Sequence, residues 1–183
     1  MRWWDIEPVL ALERLLFPED AWSAGMFWSE LAHARGPGRT RHFVVAERAG
    51  AEAGRADPTG TDGPAEPGGS PLAGYAGLAV AGDAADVQTL AVAPEHEGTG
   101  LGTRLLTELL SAATGFGSRE VFLEVRVDNA RAQRLYTRFG FEPVGVRRGY
   151  YQPGNHDALV MRRDHTRPAS AGPASAQETE NHG

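Results

Sequence analysis

Val92-Ala-Pro-Glu-His-Glu97-Gly98-Thr99-Gly100-Leu101-Gly102-Thr103 is the stretch on which the fold turns. Ahead of it, Asp86-Val-Gln-Thr-Leu-Ala-Val92 has the composition of a strand. Behind it, Leu101 to Ala113 places Leu101, Leu105, Leu106, Leu109, Leu110 and Ala113 on one side of a helix. A strand, a Gly-rich turn and a long helix in that order aim backbone N–H groups and the positive helix end at an anion, and the glycines permit close approach. A phosphate or pyrophosphate is the guest this arrangement suits; a merely tight packing turn is the alternative. Three familiar motifs fail. A Walker loop needs Lys, and all 18 basic residues are Arg. The dinucleotide pattern needs Gly where Thr103 stands, counting from Gly98 and Gly100. His96-Glu97 is no zincin motif, because Gly100 stands four residues after His96.

Outward from the turn, the chain reads as alternating elements. Ile6, Val9, Leu10, Leu12, Glu13, Leu15 and Leu16 form a helical stripe that Pro18 stops. Ser23 is placed to cap a second helix, Ala24 to Ala34, with Met26, Phe27 and Leu31 inside. Strands are expected at His42 to Glu47 and Ala73 to Val80, forming a hairpin, and at Val121 to Val125. A short helix, Ala130 to Phe139, and strands at Val144 to Arg147 and Ala158 to Arg162 follow. This is an α/β (α+β) sandwich around a mixed sheet.

Composition narrows the classes. The 183 residues suit one domain, spanning 1–163, with a tail at 164–183. Residues 49–71 hold six Gly, four Pro and no large hydrophobe, so an overgrown, disordered hairpin insertion is expected there; the tail has the same character. Four acids against one Arg in the insertion, and three against one in the tail, carry most of the net charge of −6. The remainder is near neutral, which gives a nucleic-acid partner no support. Absence of Cys excludes disulfides, thiolate metal sites and a cysteine nucleophile. No apolar run is long enough to span a membrane, and no signal-peptide pattern opens the chain, so a cytoplasmic location is expected. His33, His42, His96 and His156 show no metal-ligand spacing, and no metal is assigned.

Glu97-Gly98-Thr99-Gly100-Leu101-Gly102 at a strand end resembles the acetyl-CoA loop of the GNAT N-acetyltransferase superfamily. A second signature is similar too: Asn129-x-x-Ala132-x-x-Leu135-Tyr136-x-x-x-Gly140-Phe141. Leu123-Glu124-Val125-Arg126, Arg147-Arg148-x-Tyr150-Tyr151, Asp157-Ala158-x-Val160-Met161, Phe17-Pro18 and Trp22-Ser23 narrow the resemblance to the RimI branch, over residues 5 to about 163 without the insertion. That branch acetylates the α-amino group of the N-terminal alanine of a small-subunit ribosomal protein. The resemblance implies acetyl-CoA as co-substrate, a mostly antiparallel twisted sheet, and the N-terminus of a ribosomal protein as acceptor. Acetylation of a lysine side chain or a small amine, or a non-catalytic CoA-binding module, are the alternatives. Two departures stand out. Glu97 occupies a place usually held by Gln or Arg, an anion beside a pyrophosphate site. The usual first strand is expected to be missing or shortened, because Asp5 follows Met1 so soon.

Amine acetylation needs a base for the ammonium, donors for the oxyanion and an acid for the thiolate. Strand alternation puts Phe122 and Glu124 on one face and Leu123 and Val125 on the other. The resemblance makes Glu124 the base; a structural ion pair to Arg126 or Arg131 is the competing account. It likewise makes Tyr136 the acid, against a core aromatic at helical spacing with Ala132, Leu135 and Phe139. Asn129 suits a helix cap, and the resemblance adds a bond to the cofactor. By the same resemblance Leu90, Ala91 and Val92 serve the pantetheine arm, and Gly98, Thr99, Gly100, Leu101, Gly102 and Thr103 the pyrophosphate. Trp22, Tyr150 and Tyr151 are either a peptide groove or ordinary half-buried aromatics; Arg147 and Arg148 are read as solvated.

Overall fold

The computed structural model describes residues 1–48 and 72–164. The expected insertion at 49–71 and all but the first residue of the expected 164–183 tail lie outside them. A 3₁₀ turn, Trp3–Asp5, leads into helix α1, Ile6–Leu16, and helix α2, Ala24–Ala32. Strands β1 (Arg41–Glu47), β2 (Leu72–Ala81) and β3 (Ala84–Val92) follow. Then come helix α3 (Leu101–Gly115), strand β4 (Glu120–Arg126), helix α4 (Ala130–Arg138), and strands β5 (Glu142–Tyr151) and β6 (His156–Asp164). The element order is the expected one; β5 and β6 run longer than their apolar cores suggested. Among the described residues no strand precedes α1. The Met1 amino group donates to the Phe43 carbonyl at 2.8 Å instead, at the outer edge of β1. No helix among the described residues is long and apolar enough to cross a membrane.

The six strands lie in the order β1-β2-β3-β4-β6-β5. Every pairing is antiparallel except β3 with β4. Two apolar cores sit on the two faces. On one, Leu105, Leu106, Leu109 and Ala113 of α3 pack on Ala76, Leu78, Val87, Val121 and Leu123, with Tyr136 and Phe141 closing the end. On the other, Ile6, Val9, Leu10 and Leu12 of α1 and Phe27 of α2 pack on Phe43, Tyr75 and Ala91. The helix stripes were read correctly apart from two positions: Leu15 and Met26 are exposed rather than inside. Glycine is needed at Gly77, where a Cβ would lie 2.2 Å from the Phe43 ring.

Two irregularities in β3 open the sheet. Opposite β2, the register slips between Gly77 and Leu78, so that Gly77 faces Thr89 while Leu78 faces Val87. Gln88 is the extra residue of this β-bulge. Before it, Ala85 and Val87 face the α3 core; after it, Ala91 faces the α1 and α2 core. Opposite β4, pairing runs only from Ala84↔Glu120 to Val87↔Leu123. Beyond that point the two parallel strands part, and the β4-facing edge of Gln88 to Val92 is left without a strand partner.

Candidate functional site

A cleft of about 470 Å³ occupies the place where β3 and β4 diverge. Gln88, Thr89 and Leu90 form one wall, Glu124, Val125 and Arg126 the other. Asn129, Ala132 and Tyr136 close it on the α4 side, and Trp22, Tyr150 and Tyr151 on the opposite side. The residues predicted as base, acid, cap and aromatic groove therefore converge on one cavity. An unpaired strand edge at Gln88 to Val92 suits an amide-rich arm, which adds to it as a strand would.

Of the predicted cofactor residues on β3 and the turn, Leu90 lines this cleft, while Ala91, Val92 and Gly98 to Thr103 do not; the Gly-rich turn follows the unpaired edge of β3. Gly98 and Gly100 have φ of 75° and 86°, a region that L side chains rarely adopt. Gly100 caps α3 with no side-chain cap, and the first bond within the helix runs from Arg104 N–H to the Gly100 carbonyl. The N–H groups of Leu101, Gly102 and Thr103 precede it, the set a helix leaves free for an anion. At Gly102 a Cβ would come within 3.5 Å of Leu135, so the turn also packs closely on α4. The Thr99 hydroxyl donates to the His96 carbonyl at 2.6 Å and fixes the turn.

Glu97 forms an ion pair with Arg131 near the start of α4, and both side chains are about half exposed. Its charge is matched by Arg131, and an exposed pair of this kind is worth roughly 0–1 kcal/mol. Glu97→Gln is thus expected to change acetyl-CoA affinity less than about two-fold at moderate salt. Calorimetric titration checks this; a several-fold gain would mean that the carboxylate faces the anion.

Strand alternation holds in β4: Val121, Leu123 and Val125 are buried, while Phe122, Glu124 and Arg126 turn to the other face. Glu124 is 15% exposed, and Oε1 lies 3.2 Å from Arg147 Nη2. The sequence reading had the wrong partners. Arg126 bonds Asp128 at 2.8 and 3.1 Å, and Arg131 takes Glu97. Arg147, read as solvated, is the one that reaches Glu124 from β5, because the sheet order places β6 between them and the long guanidinium stem spans the gap. The Arg147 side chain is 59% exposed, and its guanidinium carbon lies 5.6 Å from the centre of the Tyr150 ring. Tyr151 donates its hydroxyl to the Glu124 carbonyl at 3.3 Å.

Tyr136 reaches the cleft from the α3 side, with its ring edge-on to Phe141 at 5.9 Å. Burial pushes its phenol up to about 12, so it keeps its proton across any working pH. Asn129 caps α4, its Oδ1 accepting from Ala132 N–H at 3.0 Å.

Three carboxylates in the cleft wall, Asp86, Glu13 and Asp20, escaped the sequence reading. Asp86 stands on β3 opposite Phe122, on the face that carries Glu124. Burial first, then the charge of Glu124, push it up to about 6, against Arg147 and Arg41. A lone acid in Ala84-Ala-Asp-Val87 was the signal. Glu13 was visible as a carboxylate on the apolar stripe of α1. It is 3% exposed; Oε1 accepts from Trp22 N–H at 2.9 Å, and Oε2 has no partner among the described residues. Burial pushes it up to about 7, Asp20 adds to this, and the Trp22 bond opposes.

The Glu13 carboxyl binds its proton more tightly folded than unfolded. Its contribution is therefore fullest below the ordinary value of 4.5 and is lost as pH rises toward about 7. Glu13→Gln keeps the Trp22 bond and removes this loss. Its melting temperature should exceed that of the parent at pH 8, by an amount worth roughly 1–3 kcal/mol, and the gap should close near pH 4.5. A pH-independent difference in thermal melts would refute this.

Comparison with known proteins gives the family and the fold. The acetyltransferase (GNAT) family profile matches residues 7–141. The N-alpha-acetyltransferase RimI of Mycobacterium tuberculosis is 38% identical over 170 residues, covering 90% of each chain. A putative ribosomal protein bS18-alanine N-acetyltransferase of Bacillus subtilis is 32% identical over 161 residues, 88% of this chain and 90% of that one. The crystal structure of the ribosomal-protein-alanine N-acetyltransferase of Escherichia coli superposes with a TM-score of 0.65 at 24% identity, over 96% of this chain and 94% of the other, which shows the shared fold.

Proposed function

The chain belongs to the acetyltransferase (GNAT) family, and from that premise we propose that it acetylates the N-terminal α-amino group of a protein, the alanine of ribosomal protein bS18. The family makes it an acetyl-CoA-dependent N-acetyltransferase. The choice of acceptor follows the relatives that share about a third of its residues over nine-tenths of their length. The observation that carries the chemistry is the convergence of Glu124 and Tyr136 on one cleft from opposite faces of a parted sheet.

Acetyl-CoA supplies the activated thioester. In the proposed cycle the β3 edge at Leu90, Ala91 and Val92 holds the arm through main-chain groups, and the α3 N-terminus with Gly98 to Thr103 holds the pyrophosphate. Asn129 bonds the cofactor while capping α4. Glu124, released by Arg147 as the substrate cation arrives, takes a proton from the ammonium so that the amine can attack. Tyr136 then gives its proton to the sulfur. Trp22, Tyr150 and Tyr151 wall the peptide end of the cleft. A soluble ribosomal acceptor fits a cytoplasmic enzyme.

Thiol release from acetyl-CoA, measured with an N-terminal alanine peptide, tests this. Turnover with that peptide and none with its N-acetylated form is the expected result. Preference for a lysine peptide or a polyamine would reassign the acceptor, and binding without turnover would leave only a CoA-binding module.

A further inference from the structure

The β-bulge of β3 falls where the cleft opens. Pairing with β4 ends at Val87↔Leu123, and the next residues along the two parallel strands are Gln88 and Glu124. On its other side Gln88 has no partner on β2, because Val87 faces Leu78 and Thr89 faces Gly77. Val87 and Leu123 both point into the α3 core. Their successors turn the other way, and both line the cleft. Three polar side chains stand on the β3 wall. Asp86 is level with Phe122, short of Glu124, and Thr89 lies one residue beyond; Gln88 is the one level with Glu124.

A second, independent observation falls on the same residue. Gln88 Oε1 is buried and accepts no hydrogen bond among the described residues. A buried amide oxygen without a donor costs stability, and folded proteins hold few such atoms. Because Gln88 lines the cleft that receives the acceptor, the donor it lacks is one that a substrate can bring. The acceptor's ammonium is such a donor. It carries three N–H bonds, as a lysine ammonium does, and gives up only one proton to Glu124.

We propose that Gln88 is a second amine-binding residue: its Oε1 accepts one N–H of the acceptor's α-ammonium, while Glu124 on the facing wall takes the proton from another. A carboxamide suits this task because it is neutral and does not take up a proton at working pH, so it holds an N–H without competing as a base. Held from two walls, the nitrogen keeps one orientation as its lone pair is freed. A hydrogen bond from an ammonium is roughly twice as strong as one from a neutral N–H, so the grip slackens on the acetylated product. This inference rests on the N-terminal acetyltransfer proposed above.

The test compares an N-terminal alanine peptide with its des-amino analogue, in which a propionyl group replaces the first residue. Both are titrated calorimetrically against the CoA-bound parent, Gln88→Met, Gln88→Leu and Gln88→Glu, and turnover of the alanine peptide is measured in each. In Gln88→Met and Gln88→Leu the preference for the amine over the des-amino peptide should fall roughly ten-fold, and kcat/KM by at least as much. Affinity for the des-amino peptide and for acetyl-CoA should stay within about two-fold. Gln88→Glu keeps an acceptor oxygen and should keep the preference. Met and Leu differ in shape, so whichever variant retains the parent's melting temperature decides. An unchanged preference in that variant overturns the proposal. Equal weakening of both peptides also overturns it, since that marks a packing role, as does a loss in Gln88→Glu as large as in Gln88→Met. A parent that leaves the alanine peptide unacetylated overturns the functional reading and this inference with it. An active parent whose neutral variants keep the amine preference overturns this inference alone.

Discussion

Glu124→Gln is expected to bind acetyl-CoA as tightly as the parent and to lose about 10²–10⁴-fold in kcat at neutral pH. At roughly 1.4 kcal/mol per factor of ten, this corresponds to about 3–5 kcal/mol of transition-state stabilisation. The amide is isosteric, so the Tyr151 bond to the Glu124 carbonyl and the burial of Val125 stay as they are. The proton acceptor and the charge paired with Arg147 are lost. The deficit should narrow as pH rises, because a growing share of the peptide amine is then free without help. Steady-state kinetics from pH 6.5 to 9.5 checks both parts. An undiminished rate at pH 7 would leave Glu124 with nothing but its ion pair to Arg147.

Tyr136→Phe should reduce kcat by roughly 10²-fold while the KM for acetyl-CoA changes little. A phenol matters here mainly when negative charge builds on the sulfur, late in the reaction. Phe keeps the ring that packs on Phe141, so thermal stability should hold. Since burial pushes the phenol up to about 12, no alkaline limb below about pH 10 belongs to it. A basic limb near pH 9 that survives in Tyr136→Phe would agree; one that vanishes would give the phenol a different role. A rise confined to the KM of acetyl-CoA would make Tyr136 a binding residue.

The parts legible in the sequence were those encoded over short separations. Helix stripes, the Ser23 and Asn129 caps, and the glycines at positive φ in the Gly98–Gly102 turn follow from residues within one or two turns of each other. Alternation in β4 likewise told which face Glu124 takes. The exceptions were local too: Leu15 and Met26 were placed inside on helical period alone, but tertiary packing leaves both exposed.

Hidden were the features that depend on which strands meet. Nothing local in Arg147 says that β6 inserts between β4 and β5 and brings its guanidinium to Glu124. Glu13 reads as a break in an apolar stripe until Trp22 folds back to give its N–H. Asp86 reads as a polar interruption in a strand until the parallel partner places Glu124 beside it.

By itself, then, the sequence determined the order of elements, the Gly-rich turn between β3 and α3, and the face of β4 that carries Glu124, because periodicity and backbone conformation are properties of neighbours along the chain. The tertiary structure alone decided that β3 and β4 part after Val87, that Glu124 and Tyr136 line one opening, and that Asp86 shares its wall with Glu124. Those follow from sheet order, register and a one-residue bulge, which are set by contacts among residues far apart in the chain.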